Sequence, residues 1–260
     1  MAETTAAARA DDTGVRWWEP VVAFVGGNVI GSVAAVAIGI GGIVIAVSRG
    51  VALPDAAALS ALLTSNFAVI MGTLVLNNLA VLGMVWWLVR RRAASPFAAY
   101  FPAVPLPSVL LAAASGLALS LAINGGNQLI ETAGWVTFTD TPTERAMVPH
   151  DVVQFAVSFA TVTLLAPLVE EFVFRGLLFR WLLPFAKVTG AVLISGLVFG
   201  LIHGQFILHP GAQGWLLTVE LVATGAVLGL WVARTGSLRT SFATHAAFNL
   251  TATILSVFWP

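Results

Sequence analysis

Glu170 and Glu171 stand side by side in the apolar run VVQFAVSFATVTLLAPLVEEFVFRG, residues 152–176, and Arg175 follows four residues after the second. Three ionised groups in so apolar a stretch are expensive, at about 2.5–3.5 kcal/mol each for a helix centre on insertion scales. Two further apolar segments carry isolated polar groups: His203 in GLVFGLIHG, and His245 with Asn249 in FATHAAFNL. Two carboxylates, two imidazoles and an amide are the parts of a site that activates water. On a helix Glu171 and Arg175 are i,i+4 with the acid first, the better orientation for a pair. Mutual neutralisation is the least costly way to hold both at membrane depth. Glu170 is rotated about 100° from Glu171 and has Phe174 at its own i+4 place. The spacing therefore makes Glu171 partly structural beside Arg175 and leaves Glu170 to face a cavity as general base. His245 and Asn249 share one helix face, where together they suit a water, a metal or a substrate carbonyl. Taken singly, Asn249 reads as glue between helices. Phe199, one turn before His203, reads as a packing support, and Gly196, Gly200 and Gly204 allow another helix to approach closely.

The elements that position these groups must cross a bilayer. The chain has 260 residues, is 58% hydrophobic and only 9% charged, with mean hydropathy +0.94; soluble domains carry roughly 25% charged residues. Runs of mostly apolar residues long enough for a ~30 Å hydrocarbon core fall at 21–48, 67–89, 108–130, 152–183, 189–208, 214–233 and 238–258. They are expected to be helices, because lipid leaves no partner for unpaired backbone groups and nothing alternates as barrel strands do. The fold class is thus all-α, a polytopic bundle of about seven transmembrane spans. Basic residues concentrate in the tail and in alternate loops (Arg9, Arg16, Arg90, Arg91, Arg92, Arg180, Lys187, Arg234, Arg239), which the positive-inside rule reads as N-terminus in, C-terminus out. Trp17, Trp18, Trp86, Trp87, Trp215 and Trp259 fall near span ends, as interfacial anchors do. Residues 1–20 form a cytoplasmic tail that lacks the basic start of a signal peptide. Residues 21–107 hold the first spans and a Pro-rich linker, AASPFAAYFPAVPLP, and 108–260 form the core that carries the chemistry. Zero net charge gives no footprint for nucleic acid, and zero cysteines exclude disulfides and thiolate sites.

Depth arithmetic lets the polar groups meet. With a break at Pro184, Glu170 lies about 21 Å before it; with the next helix starting near Thr189, His203 lies about 21 Å in, and His245 and Asn249 lie about 10 and 16 Å in from Leu238. One intramembrane site is expected.

The ordered set EEFVFR, FGLIH and HAAFN (170–249) resembles the signatures EExxxR, FxxxH and HxxxN of the CAAX protease and bacteriocin-processing (Abi) family, which includes the type II CAAX prenyl proteases. The resemblance covers the last ~110 residues, by motif spacing, and makes 108–260 a membrane protease core. It implies that Glu170 activates the attacking water with His203, that His245 and Asn249 polarise the scissile carbonyl and hold the oxyanion, and that Glu171 and Arg175 shape the site. The implied substrate is a membrane-associated peptide or protein. A prenylated CAAX tail belongs to the eukaryotic branch, whereas eleven Arg to one Lys with abundant Ala and Gly suggest a GC-rich prokaryotic genome and hence a prokaryotic plasma membrane. No cofactor is favoured. Zinc on Glu170, His203 and His245 is the alternative, set against the lack of HExxH and a ligand set spread over three helices. The competing class is a transporter or proton relay, where buried Glu, His and Arg mark an ion path. Glu220, alone in its span, fits that class best. His150 and His209 fall in expected outer loops and are given no role.

Overall fold

The structure is a computed structural model that describes residues 14–52, 55–91 and 96–258. Arg9, Arg92, Trp259 and the start of the expected linker lie outside the described residues. Everything regular among those residues is helical. The chain forms α1 (Trp18–Ser48), α2 (Ala56–Ser65), α3 (Phe67–Val89), the short α4 (Pro96–Tyr100), α5 (Leu106–Thr132) and α6 (Pro142–Met147). A helical run from Val152 to Leu208 follows, then α10 (Ala212–Thr235) and α11 (Leu238–Phe258). Several starts are capped as their sequences ask. The carboxylates of Asp55 and Asp151 accept from Ala58 and Gln154, the Asn66 amide oxygen accepts from Val69, and Thr141 with Glu144 makes a reciprocal capping box.

A straight helix from Val152 to Leu208 would be about 85 Å long, far more than a bilayer is thick. The run instead folds back on itself. Lys187 has φ 57° and ψ −178°, and Phe174 and Phe199, nearly equidistant from it in sequence, meet edge-to-face at 5.4 Å. We therefore treat it as two arms, α7 (152–186) and α8 (188–202), with the reversal just beyond Pro184. A short turn of helix, α9 (Gln205–Leu208), trails α8.

By length and hydropathy alone, the described residues give fewer separate spans than the expected seven. Five helical segments are long and apolar enough to cross a membrane, and α7 to α9 count among them as one. The last helix, α11, is 21 residues long, but Thr240, Ser241, Thr244, His245 and Asn249 dilute its hydropathy, and it falls outside the five. The polarity that marks α11 as functional is what removes it from a hydropathy count.

In lipid, apolar burial gives little drive between helices, so close backbone approach and hydrogen bonds must hold the bundle. A Cβ on Gly196 would stand 2.8 Å from the Ala226 nitrogen, and one on Gly225 would stand 2.9 Å from the Gly196 Cα. Thus α8 and α10 touch through glycine. Gly200 packs in the same way on Val222, whereas Gly204, with φ +67°, ends α8 and packs on nothing. Two of the three expected small-residue contacts are therefore packing and the third is a turn. A second seam joins α5 to α11, where Gly116 lies against the Thr244 carbonyl and the Thr244 hydroxyl donates to the Ala112 carbonyl at 2.8 Å.

The bundle has chemically distinct ends. At one, the Ser237 hydroxyl and the Arg239 guanidinium donate to the carbonyls of Pro102 and Phe101, and Arg180 lies 4.2 Å over the Tyr100 ring. The 96–102 segment is thereby docked on α7 and α11. At the other end, Gln213 bonds the Thr139 backbone, and His209 joins Gln213 to Glu144 with two contacts of 3.0 Å. His209 is buried, so the residue expected to idle in a loop is the hub of that end.

Candidate intramembrane active site

The EEFVFR motif does not occupy a regular α-helix. Residues Phe159–Leu165 and Glu171–Leu178 wind as π-helix, and Ala166–Glu170 between them is α-helical. Such stretches are rare and tend to mark functional sites, because wider winding frees backbone carbonyls from the usual ladder. One is put to use here: the Asn249 amide donates to the Val162 carbonyl at 2.9 Å. The amide expected at an oxyanion thus spends one N–H tying α11 to α7 and keeps the other.

Glu171 and Arg175 are both fully buried and 3.3 Å apart. Arg175 also donates to the Gly225 carbonyl at 2.8 Å and lies 4.5 Å over the Phe199 ring. The pair expected from i,i+4 spacing is present, and α10 adds the carbonyl and α8 the aromatic face. Gly225 was not signalled by any motif. Only its place in the glycine seam, where its backbone can come close, could have pointed to it.

His245 stands between the two carboxylates. Its Nδ1 lies 3.0 Å from Glu171 Oε1 and its Nε2 lies 3.6 Å from Glu170 Oε2. A carboxylate only accepts, so the bond to Glu171 places a proton on Nδ1 and turns Nε2 toward Glu170. Glu170 is the least buried of the three, at 23% exposure, yet its Oε2 is itself buried and accepts no hydrogen bond among the described residues. The neighbour the structure gives Glu170 is therefore His245, where the family resemblance implied His203. His203 uses Nδ1 to donate to the Phe199 carbonyl at 2.7 Å and joins the site through a ring, 4.7 Å from that of Phe199. Phe199 touches His245 as well, at 5.6 Å, so the expected packing support contacts Arg175 and both imidazoles.

The donor set named for zinc is not assembled. Among the described residues no three His, Asp or Glu side chains stand close enough together to hold a metal ion. Glu170 and His245 are neighbours, but His203 does not complete a coordination group with them. Glu220, the other acid at depth, is held by the Asn127 amide at 3.2 Å and is not part of this cluster.

Residues 152–251 match the family model described as type II CAAX prenyl endopeptidase Rce1-like. The matched stretch runs from the start of α7 into α11 and contains all three motifs. No curated protein and no solved structure matches the chain. The match agrees with the resemblance that the three motifs carry and supports, at the level of the family, a protease core in an integral, multi-pass membrane protein.

Proposed function

We propose that the chain is an intramembrane endopeptidase that cuts membrane-associated peptides or proteins with a water activated by Glu170. The observation that carries this reading is His245 bridging two carboxylates at membrane depth, beside a buried Glu170 oxygen with no hydrogen-bond partner. Arg175 neutralises Glu171 and fixes it in place. Glu171 in turn fixes the tautomer and ring plane of His245, the orienting role that the third member plays in triad chemistry. Glu170 takes a proton from water as the oxygen attacks the scissile carbonyl. Once protonated, the neutral Glu170 donates a hydrogen bond to the lone pair of His245 Nε2 and passes its proton on to the leaving amine as the peptide bond breaks. The second N–H of Asn249 is the donor left for a substrate carbonyl, and Nε2 of His203, a lone pair when Nδ1 carries the proton, is left to accept from the attacking water. No step is routed through a metal.

The transporter reading is weaker. It asks for charged groups spread over several depths, whereas here they converge on one cluster and Glu220 stands apart in a bond to Asn127. The test is incubation of purified protein, in nanodiscs, with a library of membrane-anchored peptides. Cleavage by wild type that vanishes in Glu170→Gln, with insertion and yield retained, is expected. Base catalysis alone accounts for about 10²–10⁴ of the rate. Full activity in Glu170→Gln would end the assignment of the base.

A further inference from the structure

A site that consumes water at membrane depth must be reached by water, and hydrocarbon does not supply it. One face of α5 carries Gly116, Ser120, Asn124, Asn127 and Glu131, spaced four, four, three and four residues apart, so a polar stripe runs along a helix otherwise rich in Leu and Ala. Polar side chains in a membrane helix usually line a path or a cavity. At the end remote from Arg239 the stripe opens into a cavity of about 530 Å³ whose walls include Asn124, Asn127, Gln128, Glu131 and Asp140. One water needs only about 10–15 Å³ of accessible volume and two to four polar partners. The inner wall is Asn127. Its amide donates to the Glu220 carboxylate at 3.2 Å, while its own Oδ1 is buried with no hydrogen-bond partner among the described residues.

Two helices connect that inner end to the catalytic cluster. Along α10, Glu220 lies five residues, or about 7.5 Å, from Gly225, whose carbonyl holds Arg175. Along α5, Ser120 lies four residues, or about 6 Å, from Gly116, which packs on Thr244 beside His245.

We infer that the cavity between α5, α11 and the 131–140 segment is the water inlet of the hydrolytic site, with Asn127 and Glu220 at its inner end. The inference rests on the endopeptidase reading. It gives Glu220 a place: a charged group that keeps the inner end of the inlet hydrated without touching substrate.

The chain has no cysteine, so single cysteines report their surroundings without background. In nanodiscs, Asn124→Cys and Gln128→Cys should react with a charged, membrane-impermeant methanethiosulfonate at least about tenfold faster than Leu117→Cys and Leu129→Cys, since thiols facing hydrocarbon meet no water. Both leucines are exposed on the same helix, on either side of Asn124. Gly125 lines the cavity, and nothing lies within 4 Å of where its Cβ would stand. Gly125→Trp should therefore fold, slow labelling of Asn124→Cys, and lower kcat about tenfold at unchanged KM, as expected for a step other than substrate binding. If wild type cut peptides but the polar-face cysteines labelled no faster than Leu117→Cys, the inlet would fall and the endopeptidase would stand. If Gly125→Trp blocked labelling and kept full kcat, the cavity would not be the inlet. If wild type cut nothing, the endopeptidase reading itself would fail and the inlet with it.

Discussion

Arg175→Met removes one charge from a fully buried pair and tests the framework of the site. At 3.3 Å and an effective dielectric of 20, the gross attraction between Arg175 and Glu171 is about 5 kcal/mol. Much of it is offset by the desolvation of both groups, so the net value of the pair is small. Truncating one partner is different, because it strands the other: about 3–5 kcal/mol is the usual loss. The Gly225 carbonyl also loses the guanidinium donor at 2.8 Å. The loss of about 3–5 kcal/mol corresponds to roughly 10 °C in Tm for a chain near this size. The assay is thermal unfolding in detergent followed by tryptophan fluorescence, with nine Trp in the chain. A second variant, Glu171→Gln with Arg175→Met, removes the stranded charge and keeps an amide oxygen for His245 Nδ1. It should recover at least half of the lost stability while remaining poorly active. A single variant as stable as wild type, or a double variant no better than the single, would refute a buried, mutually neutralised pair.

Other outcomes follow from the same geometry. His245→Ala should be inactive and also less stable than His203→Ala, because it leaves Glu171 without its 3.0 Å imidazole partner, whereas His203 bonds only a carbonyl; equal melting temperatures would contradict that order. Active protein should hold well under one zinc per chain by elemental analysis and should survive prolonged chelation, and a zinc retained by wild type but lost in His245→Ala would overturn the metal-free mechanism. Glu144 lies outside the spans; burial works to raise its pKa, but bonds from the Thr141 backbone and from His209 prevail and hold it below 4.5. A depressed pKa contributes stability that is fully present above the unfolded value and is lost as pH falls through the folded one. Glu144→Gln should therefore lower Tm near neutrality, where the depressed pKa contributes in full, and the deficit should shrink as pH falls below about 4.5, read as Tm against pH.

Much of the site was legible because ionisable residues are scarce here and spacing carries their partnership. The i,i+4 relation of Glu171 and Arg175 predicts their contact, and the break taken at Pro184 lies close to Lys187, where the backbone turns. What spacing could not show is which imidazole meets which carboxylate. That depends on the π-helical winding of 171–178, which rotates side chains away from α-helical positions and leaves no mark in residue type. The network of His209, Gln213 and Glu144 was illegible for a related reason. His209 and Glu144 lie 65 residues apart, and only the packed end of the bundle brings them together. The helix expected at 238–258 is present as Leu238–Phe258, although its polar residues keep it below the hydropathy of the other spans.

Phe199 contacts both imidazoles and the guanidinium. A single planar group shared by that many partners makes their energies interdependent, so substitutions around it will not combine as a simple sum. Natural variation has little room at such a hub, since a change that suits one neighbour disturbs the others.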